Sequence, residues 1–116
     1  MEIIENQDAL QEIIRDRRIV VVQFGSGRCA PCKALQNKIS LWNREHPTVS
    51  HVYVSVDDLT ELSAQMGVFT VPAILVYANG RLTIRQSGYF SLEQILDQTE
   101  KYEQLLKDGT GCTAPV

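Results

Sequence analysis

The 116-residue sequence has little of what marks membrane, secreted or nucleic-acid-binding proteins. It contains three cysteines, four prolines and one tryptophan, and 11 Lys and Arg stand against 14 Asp and Glu. The longest apolar run, residues 71–78, includes Pro72 and is too short to span a bilayer. The net charge of -3 argues against a protein that mainly binds nucleic acid or anionic membranes. An odd number of cysteines does not predict a structural disulfide framework.

The N-terminal residues lack the basic and apolar segments of a signal peptide. The apolar fraction of 44% and the charged fraction of 22% are ordinary for a folded domain of this size. We expect one domain over residues 1–107, followed by a flexible tail over 108–116 in which Cys112 is an exposed free thiol. These features favour a cytoplasmic protein, and we expect it to be a monomer.

Hydrophobic periodicity alternates between strand and helix along the chain. The order of predicted elements is β-α-β-α-β-α-β-β-α, which indicates an α/β protein with a mixed central sheet of about five strands flanked by about four helices. The last two strands are predicted to form a hairpin that turns at Asn79-Gly80. In its second strand, Leu82 and Ile84 are predicted to face inward.

Cys29 and Cys32 stand where the first long strand gives way to a helix. Residues three apart on a helix have Cβ atoms about 5–6 Å apart, which allows a disulfide after a small adjustment. Pro31 suits the first helical turn, and the partial positive charge of a helix N-terminus favours a thiolate. Arg28 and Lys33 add positive charge on either side. The pattern therefore predicts a redox-active cysteine pair.

The two sulfurs are predicted to differ. Cys32 heads the apolar stripe of the helix and is expected to face the core, where burial raises the pKa of a thiol. Cys29 lies one turn further out, beside a Gly-Ser-Gly run. We therefore predict that Cys29 is the attacking nucleophile and Cys32 the resolving thiol.

A zinc site and an inert pair of cysteines are the alternative interpretations. Zinc requires four ligands, and the remaining candidates are Cys112, His46 and His51. These three do not form a second ligand pair of the usual spacing, so no metal is expected. Both histidines are interpreted as ordinary surface residues.

Three features of the sequence resemble the thioredoxin family. Residues 29–33, Cys-Ala-Pro-Cys-Lys, are similar to the family's Cys-Gly-Pro-Cys-Lys motif. Residues 67–73, Gly-Val-Phe-Thr-Val-Pro-Ala, resemble the segment that carries the family's cis-proline, and Gly88 matches the glycine before its last helix. The resemblance covers residues 1–107 and implies the thioredoxin fold.

The resemblance also implies a site for client proteins. Pro72 is expected to be cis and to pack beside the cysteine pair, with the backbone of Val71 offered to an incoming peptide strand. The residues expected to contact clients are Arg28, Ala30, Pro31, Val71, Pro72 and Gly88.

Three departures from the family pattern surround the cysteines. Arg28 and Gly25 replace two tryptophans, which predicts a smaller and more polar rim. Gln23 replaces a buried aspartate that is taken to help remove the proton from the resolving thiol. Glutamine cannot accept a proton at neutral pH, so Gln23 is expected to slow resolution and change its pH dependence. Gln23 and Lys33 are therefore expected to modulate the pair, while Arg28 favours the Cys29 thiolate and a more oxidising couple.

These features together predict a thiol–disulfide oxidoreductase that reduces protein disulfides through Cys29 and Cys32. No bound cofactor is expected, because the electrons reside in the cysteine pair. The resemblance implies disulfide-containing client proteins and a thioredoxin-reductase-like flavoenzyme as partners; neither nucleic acid nor a membrane is expected. The alternative is a redox sensor or client-binding module with little or no reductase turnover.

Overall fold

The computed structural model of the protein describes residues 1–107, so the predicted tail and Cys112 lie outside the described residues. Five strands and four helices follow one another in the predicted order. The elements are β1 (Glu2–Ile3), α1 (Gln7–Asp16), β2 (Ile19–Gly25), α2 (Ala30–Arg44), β3 (Val49–Ser55), α3 (Thr60–Gln65), β4 (Ala73–Ala78), β5 (Arg81–Ser87) and α4 (Leu92–Lys107). No helix within residues 1–107 is both long enough and apolar enough to cross a membrane.

The strands form one mixed sheet in the order β1-β3-β2-β4-β5, which confirms the predicted α/β class. β1 and β2 both run parallel to β3, whereas β4 is antiparallel to β2 and β5 is antiparallel to β4. All seven residues of β2 are buried, because β2 has neighbours on both edges and helices on both faces. A strand in this position must be apolar on both sides, as the Ile-Val-Val-Val run is.

Helices cover both faces of the sheet. One face packs against α1 and α3, and its core includes Leu10, Val22 and Leu62. The other face packs against α2 and α4 around Ile39 and Ile95. Because side chains alternate along a strand, the odd-numbered residues of β2 and β3 point toward α2 and α4. The cysteine-bearing end of α2 therefore lies over that second face.

The β4–β5 hairpin turns at Asn79 and Gly80, both with positive φ, as the Asn-Gly pair predicted. The prediction that Leu82 and Ile84 share the inward face is wrong for Leu82, which is 43% exposed while Ile84 is 8% exposed. The register shifts by one residue within this hairpin and leaves Thr83 unpaired between them. A β-bulge of this kind places flanking residues on opposite faces.

Candidate active site

Cys29 and Cys32 occupy the junction between β2 and α2. Cys29 is the N-cap of α2, and Pro31 lies in the first helical turn as predicted. The two cysteines form a disulfide, with their Cα atoms 5.2 Å apart. The backbone N–H of Cys32 also donates to the Cys29 sulfur at 3.2 Å. The helix N-terminus therefore directs an amide proton at the outer sulfur of the pair.

The two cysteines differ in exposure. Cys32 is 2% exposed and packs into the core side of α2, whereas Cys29 is only half-buried. An incoming thiolate or disulfide can therefore reach the sulfur of Cys29 but not that of Cys32. The unequal pair expected from the apolar stripe of α2 is present in the structure.

A segment from another part of the chain forms the opposite wall. The Val71–Pro72 peptide bond is cis, and Pro72 directly precedes β4. The carbonyl of Pro72 accepts a hydrogen bond from the Gly88 N–H at 2.9 Å. Gly88 has a φ of 76°, which disfavours any residue with a Cβ. This bond ties the end of β5 to the cis-proline segment beside the disulfide.

Between these walls lies a groove of about 490 Å³. It is lined by Ser26, Arg28, Cys29, Pro31, Thr70, Val71, Pro72, Gly88 and Tyr89. The structure thus brings together most of the residues predicted for the client site. Ala30 and Lys33 are exposed on α2 but do not line the groove. Cys32 and Gln23 lie beneath it, buried against the sheet.

Sequence reasoning missed two aromatic residues near the site. Tyr89 lines the groove with a fully exposed side chain, and Phe69, two residues before Val71, is 81% exposed. Together with Pro31 and Val71, Tyr89 gives the groove apolar surface, whereas the comparison of its rim with that of the family stays a prediction. The sequence signal that could have revealed Tyr89 was its position directly after Gly88, where the chain leaves β5.

The loop that precedes Cys29 is held by hydrogen bonds through Ser26. Its hydroxyl donates to the Asp57 carboxylate at 2.9 Å and accepts from the Arg28 N–H at 3.2 Å. The Cys29 N–H in turn donates to the Ser26 carbonyl at 3.1 Å. These bonds position the loop and leave the Arg28 side chain at the rim of the groove.

Gly25 makes room for Tyr53 next to the cysteine pair. A Cβ at Gly25 would lie 2.7 Å from the Tyr53 hydroxyl and 3.1 Å from the Cβ of Cys32. Burial, together with the nearby carboxylates of Asp57 and Asp58, raises the pKa of Tyr53 above its usual value. Tyr53, from β3, thus occupies the space beside Gly25 that a larger residue at position 25 would need.

Gln23 lies below Cys32 and bonds to it directly. The Gln23 side-chain amide is fully buried, and its Nε2 donates to the Cys32 carbonyl at 2.7 Å. Its Oε1 lies 3.2 Å from Nε2 of His51. The residue that replaces an acid in the family pattern therefore contacts the backbone of the resolving cysteine.

The interpretation of both histidines as ordinary surface residues is wrong. His51 is 3% exposed, and burial lowers its pKa to about 4. It shares a face of β3 with Val49 and Tyr53, so strand alternation was the signal that could have placed it in the core. His46 is partly buried between Glu100 and Glu103, with Nδ1 2.7 Å from the Glu103 carboxylate.

A second and larger cleft, of about 700 Å³, lies between α1, α3 and the β4–β5 hairpin. Leu10, Met66 and Arg85 are among its lining residues, and neither cysteine of the pair reaches it. Within residues 1–107 no three His, Cys, Asp or Glu side chains are grouped as metal ligands. The reactive chemistry of the described chain is therefore in the smaller groove.

Comparison with known proteins gives one family. The sequence profile described as Thioredoxin matches residues 2–101. Thioredoxin-1 of Schizosaccharomyces pombe is 30% identical over 77 residues, which cover 66% of this chain and 75% of that protein. The thioredoxin of Mycoplasma genitalium is 31% identical over 88 residues, covering 76% of this chain and 86% of the relative.

Solved structures share the fold at lower identity. The thioredoxin of Fasciola hepatica has a TM-score of 0.79 and 24% identity, covering 88% of this chain and 99% of its own. A mutant thioredoxin from Halobacterium salinarum has a TM-score of 0.79 and 23% identity, covering 87% of this chain and 88% of its own. The arrangement of sheet and helices is thus common to all three chains.

Proposed function

The chain belongs to the thioredoxin family and is a thiol–disulfide oxidoreductase, and on that premise we propose that Cys29 attacks client disulfides while Cys32 resolves them. The observation that carries this assignment is the Cys32 N–H aimed at the Cys29 sulfur, 3.2 Å away at the N-terminus of α2. In the reduced protein the same donor and the helix dipole would stabilise a thiolate on Cys29. The burial of Cys32 supports the resolving role.

The proposed reduction has two balanced steps. The Cys29 thiolate attacks one sulfur of the client disulfide, the client S–S bond breaks, and the departing client thiolate takes a proton from water. Cys32 then loses its proton to solvent and attacks the Cys29 sulfur, which breaks the mixed disulfide and releases the second client sulfur as a thiolate that takes a proton from water. The client gains two electrons and two protons, and the protein is left with the Cys29–Cys32 disulfide that the structure contains.

The groove supports binding of a client as an extended peptide along Val71. Val71 and Pro72 face the disulfide across the groove, so a strand laid against that backbone would place its own cysteine near Cys29. Within the groove, the guanidinium of Arg28 would favour acidic client residues, and Tyr89 offers apolar contact. Ala30 remains a candidate client contact on the exposed side of α2, and Lys33 remains a candidate modulator of the pair.

The proposal includes the remaining partners. The pair needs no bound cofactor, and its reductant would be a thioredoxin-reductase-like flavoenzyme that returns two electrons per cycle. A cytoplasmic location suits a reductant, because that compartment keeps exposed thiols reduced. The protein would act on its clients as a monomer.

The reduction potential of the pair tests this function. The protein is equilibrated in graded thiol buffers, and its free thiols are trapped and counted by mass. A potential near or below roughly −260 mV would support a reductant. Catalytic amounts of protein should then turn over a protein disulfide, and Cys29→Ser should abolish that turnover. Activity that survives Cys29→Ala but not Cys32→Ala would contradict the assigned roles.

The amide of Gln23, in place of an acid beside Cys32, favours a redox sensor as the second candidate. Gln23 cannot take the proton from the resolving thiol, and the neighbouring His51 is a weak base because burial lowers its pKa to about 4. A potential well above the glutathione poise, together with stoichiometric rather than catalytic reduction, would favour the sensor over the reductase.

A further inference from the structure

The two hydrogen-bond partners of Gln23 determine how its buried amide is oriented. The Cys32 carbonyl, 2.7 Å away, can only accept a hydrogen bond, so the amide nitrogen of Gln23 must face it. The amide oxygen then faces Nε2 of His51 at 3.2 Å. Because this oxygen also only accepts, Nε2 of His51 must carry the proton. The hydrogen-bond chain therefore runs from His51 to Gln23 to Cys32.

The other ring nitrogen of His51 has no such partner. Nδ1 is buried and makes no hydrogen bond among the described residues. A neutral ring with its proton on Nε2 leaves Nδ1 as a bare acceptor in the core, which is an unfavourable position for a polar atom. The single donor of the ring is thus committed to Gln23.

The chain of hydrogen bonds connects the sheet to the first turn of α2. His51 and Gln23 belong to the adjacent parallel strands β3 and β2, with Val21 paired opposite His51. These strands lie in the middle of the sheet, and both side chains point toward α2. The Cys32 carbonyl is consequently held by a group whose own position is set by two central strands.

The donor of His51 completes the hydrogen bonding of the amide. The Cys32 carbonyl fixes the amide nitrogen toward α2, so the amide oxygen faces His51. Without a donor at Nε2 this buried oxygen would have no partner, which is unfavourable, and the Gln23 side chain would be displaced from the position in which it bonds to Cys32. The donor of His51 thus holds Gln23 in place.

We propose that His51 is a positioning residue for the resolving step, acting through Gln23 to hold the first turn of α2 while the Cys32 sulfur attacks. This inference rests on the proposed roles of Cys29 and Cys32. An intramolecular attack depends steeply on the placement of the reacting atoms, so loosening this turn slows the resolving step. The attack of Cys29 on an incoming disulfide uses the Cys32 N–H but not the Cys32 carbonyl that the chain holds, and it comes from a separate molecule.

The test separates the two steps in one experiment. Reduced protein is mixed rapidly with excess of the aromatic disulfide 5,5′-dithiobis(2-nitrobenzoate), and release of the coloured thiolate is followed. The first phase, proportional to reagent concentration, reports attack; the second, independent of concentration, reports resolution. All variants carry Cys112→Ser so that only the pair reacts, and Cys32→Ser must remove the second phase.

His51→Leu removes the donor, whereas His51→Gln keeps one in the place of Nε2. We expect His51→Leu to slow the second phase by about fivefold, the effect of one net hydrogen bond, and to leave the first phase within about twofold. His51→Gln should restore the second phase. His46→Gln, which alters the other histidine, should change neither phase.

Three results would overturn the inference: an unchanged second phase in His51→Leu, equal slowing of both phases, or a failure of His51→Gln to restore the rate. Loss of the first phase in the unsubstituted protein would instead contradict the role of Cys29.

A measurement on the unsubstituted protein keeps the inference testable if His51→Leu does not fold. The nitrogen chemical shifts of the His51 ring report which nitrogen carries the proton. We expect a proton on Nε2 and none on Nδ1 at pH 7. A proton on Nδ1 would reverse the hydrogen-bond chain and refute the proposal.

Discussion

The two histidines lie five residues apart in sequence, yet they occupy opposite electrostatic environments. His46 follows α2 and sits between the carboxylates of Glu100 and Glu103 on α4, stacked on Trp42 with ring centroids 4.0 Å apart. His51 points from β3 into the core, where the amide of Gln23 is its hydrogen-bond partner. The His46 site contains two carboxylates, whereas the hydrogen-bond partner of His51 is uncharged.

The groups that surround each histidine side chain determine whether a charge is tolerated at its position. Two carboxylates, of Glu100 and Glu103, lie beside the His46 ring. His51 is buried with the Gln23 amide as its hydrogen-bond partner, and a charge placed there would lose its hydration. The His46 site joins the C-terminal end of α2 to α4, whereas the His51 site lies below the reactive disulfide.

Lysine in place of each histidine should give the largest difference in stability between the two sites. His51→Lys would bury an ammonium group without a carboxylate partner and should destabilise the fold by about 3–5 kcal/mol. His46→Lys places a cation beside Glu100 and Glu103 and should change stability by less than about 1 kcal/mol. Urea unfolding of the two variants measures both values. Similar losses in both would refute the comparison.

The pH dependence of stability gives the next largest effect. Burial lowers the pKa of His51 to about 4, below the value of about 6.5 in an unfolded chain. Between these values the unfolded chain binds a proton that the folded chain does not, so stability present above pH 6.5 is lost as the pH falls toward 4. The loss attributable to His51 should reach at most about 3 kcal/mol.

Urea unfolding of the protein and of His51→Leu across pH 7 to 4 isolates this contribution. The carboxylates common to both cancel in the difference. The unsubstituted protein should lose stability relative to the variant as the pH falls. Parallel curves would show that His51 is protonated equally in the folded and unfolded states.

The stability contributed by the His46 site should depend on the buried carboxylate of Glu103 more than on the exposed carboxylate of Glu100. Glu103 is 6% exposed and accepts from the Thr48 hydroxyl at 2.7 Å as well as contacting His46. Glu103→Gln should cost about 1–2 kcal/mol, because a charge-assisted bond is replaced by a neutral one. Glu100→Gln, whose side chain is 43% exposed, should cost less than about 0.5 kcal/mol. Denaturant unfolding at pH 7 compares them, and the reverse order would contradict this account.

A small effect is also expected at Trp42. Its indole N–H donates to the Glu100 carboxylate at 3.0 Å while its ring stacks on His46. Trp42→Phe keeps an aromatic ring but loses the hydrogen bond, and the carboxylate of Glu100 can turn to water. The expected loss is about 0.5 kcal/mol in thermal unfolding. A loss as large as that of Glu103→Gln would mean that the stack, and not the buried carboxylate, holds this site together.

Most of the fold follows from local patterns. The β-branched run of β2 predicts a strand buried on both faces, and Asn79-Gly80 predicts the hairpin, because both depend on residues adjacent in sequence. The outward face of Leu82 could not be predicted in this way. A bulge at Thr83 shifts the pairing with β4, and pairing is a relation between two strands.

The placement and unequal burial of the cysteine pair could also be predicted from the local sequence. The spacing of Cys29 and Cys32 around Pro31 places both cysteines at a helix N-terminus, and their unequal burial follows from the apolar stripe of α2. The aromatic surface contributed by Tyr89 was not predicted, since it reaches the groove through a turn far from the cysteines in sequence. The tail and Cys112 remain predictions.

The amino-acid sequence by itself determined the order of strands and helices, the chemistry of the cysteine pair and which cysteine is buried. Each of these depends on residue types within one or two helical turns. Only the tertiary structure decided that His51 meets Gln23 and that Gln23 holds the Cys32 carbonyl. Those contacts join β3, β2 and α2 across 28 and 9 residues of sequence. Because packing of the sheet against α2 sets them, a pattern along the chain cannot show them.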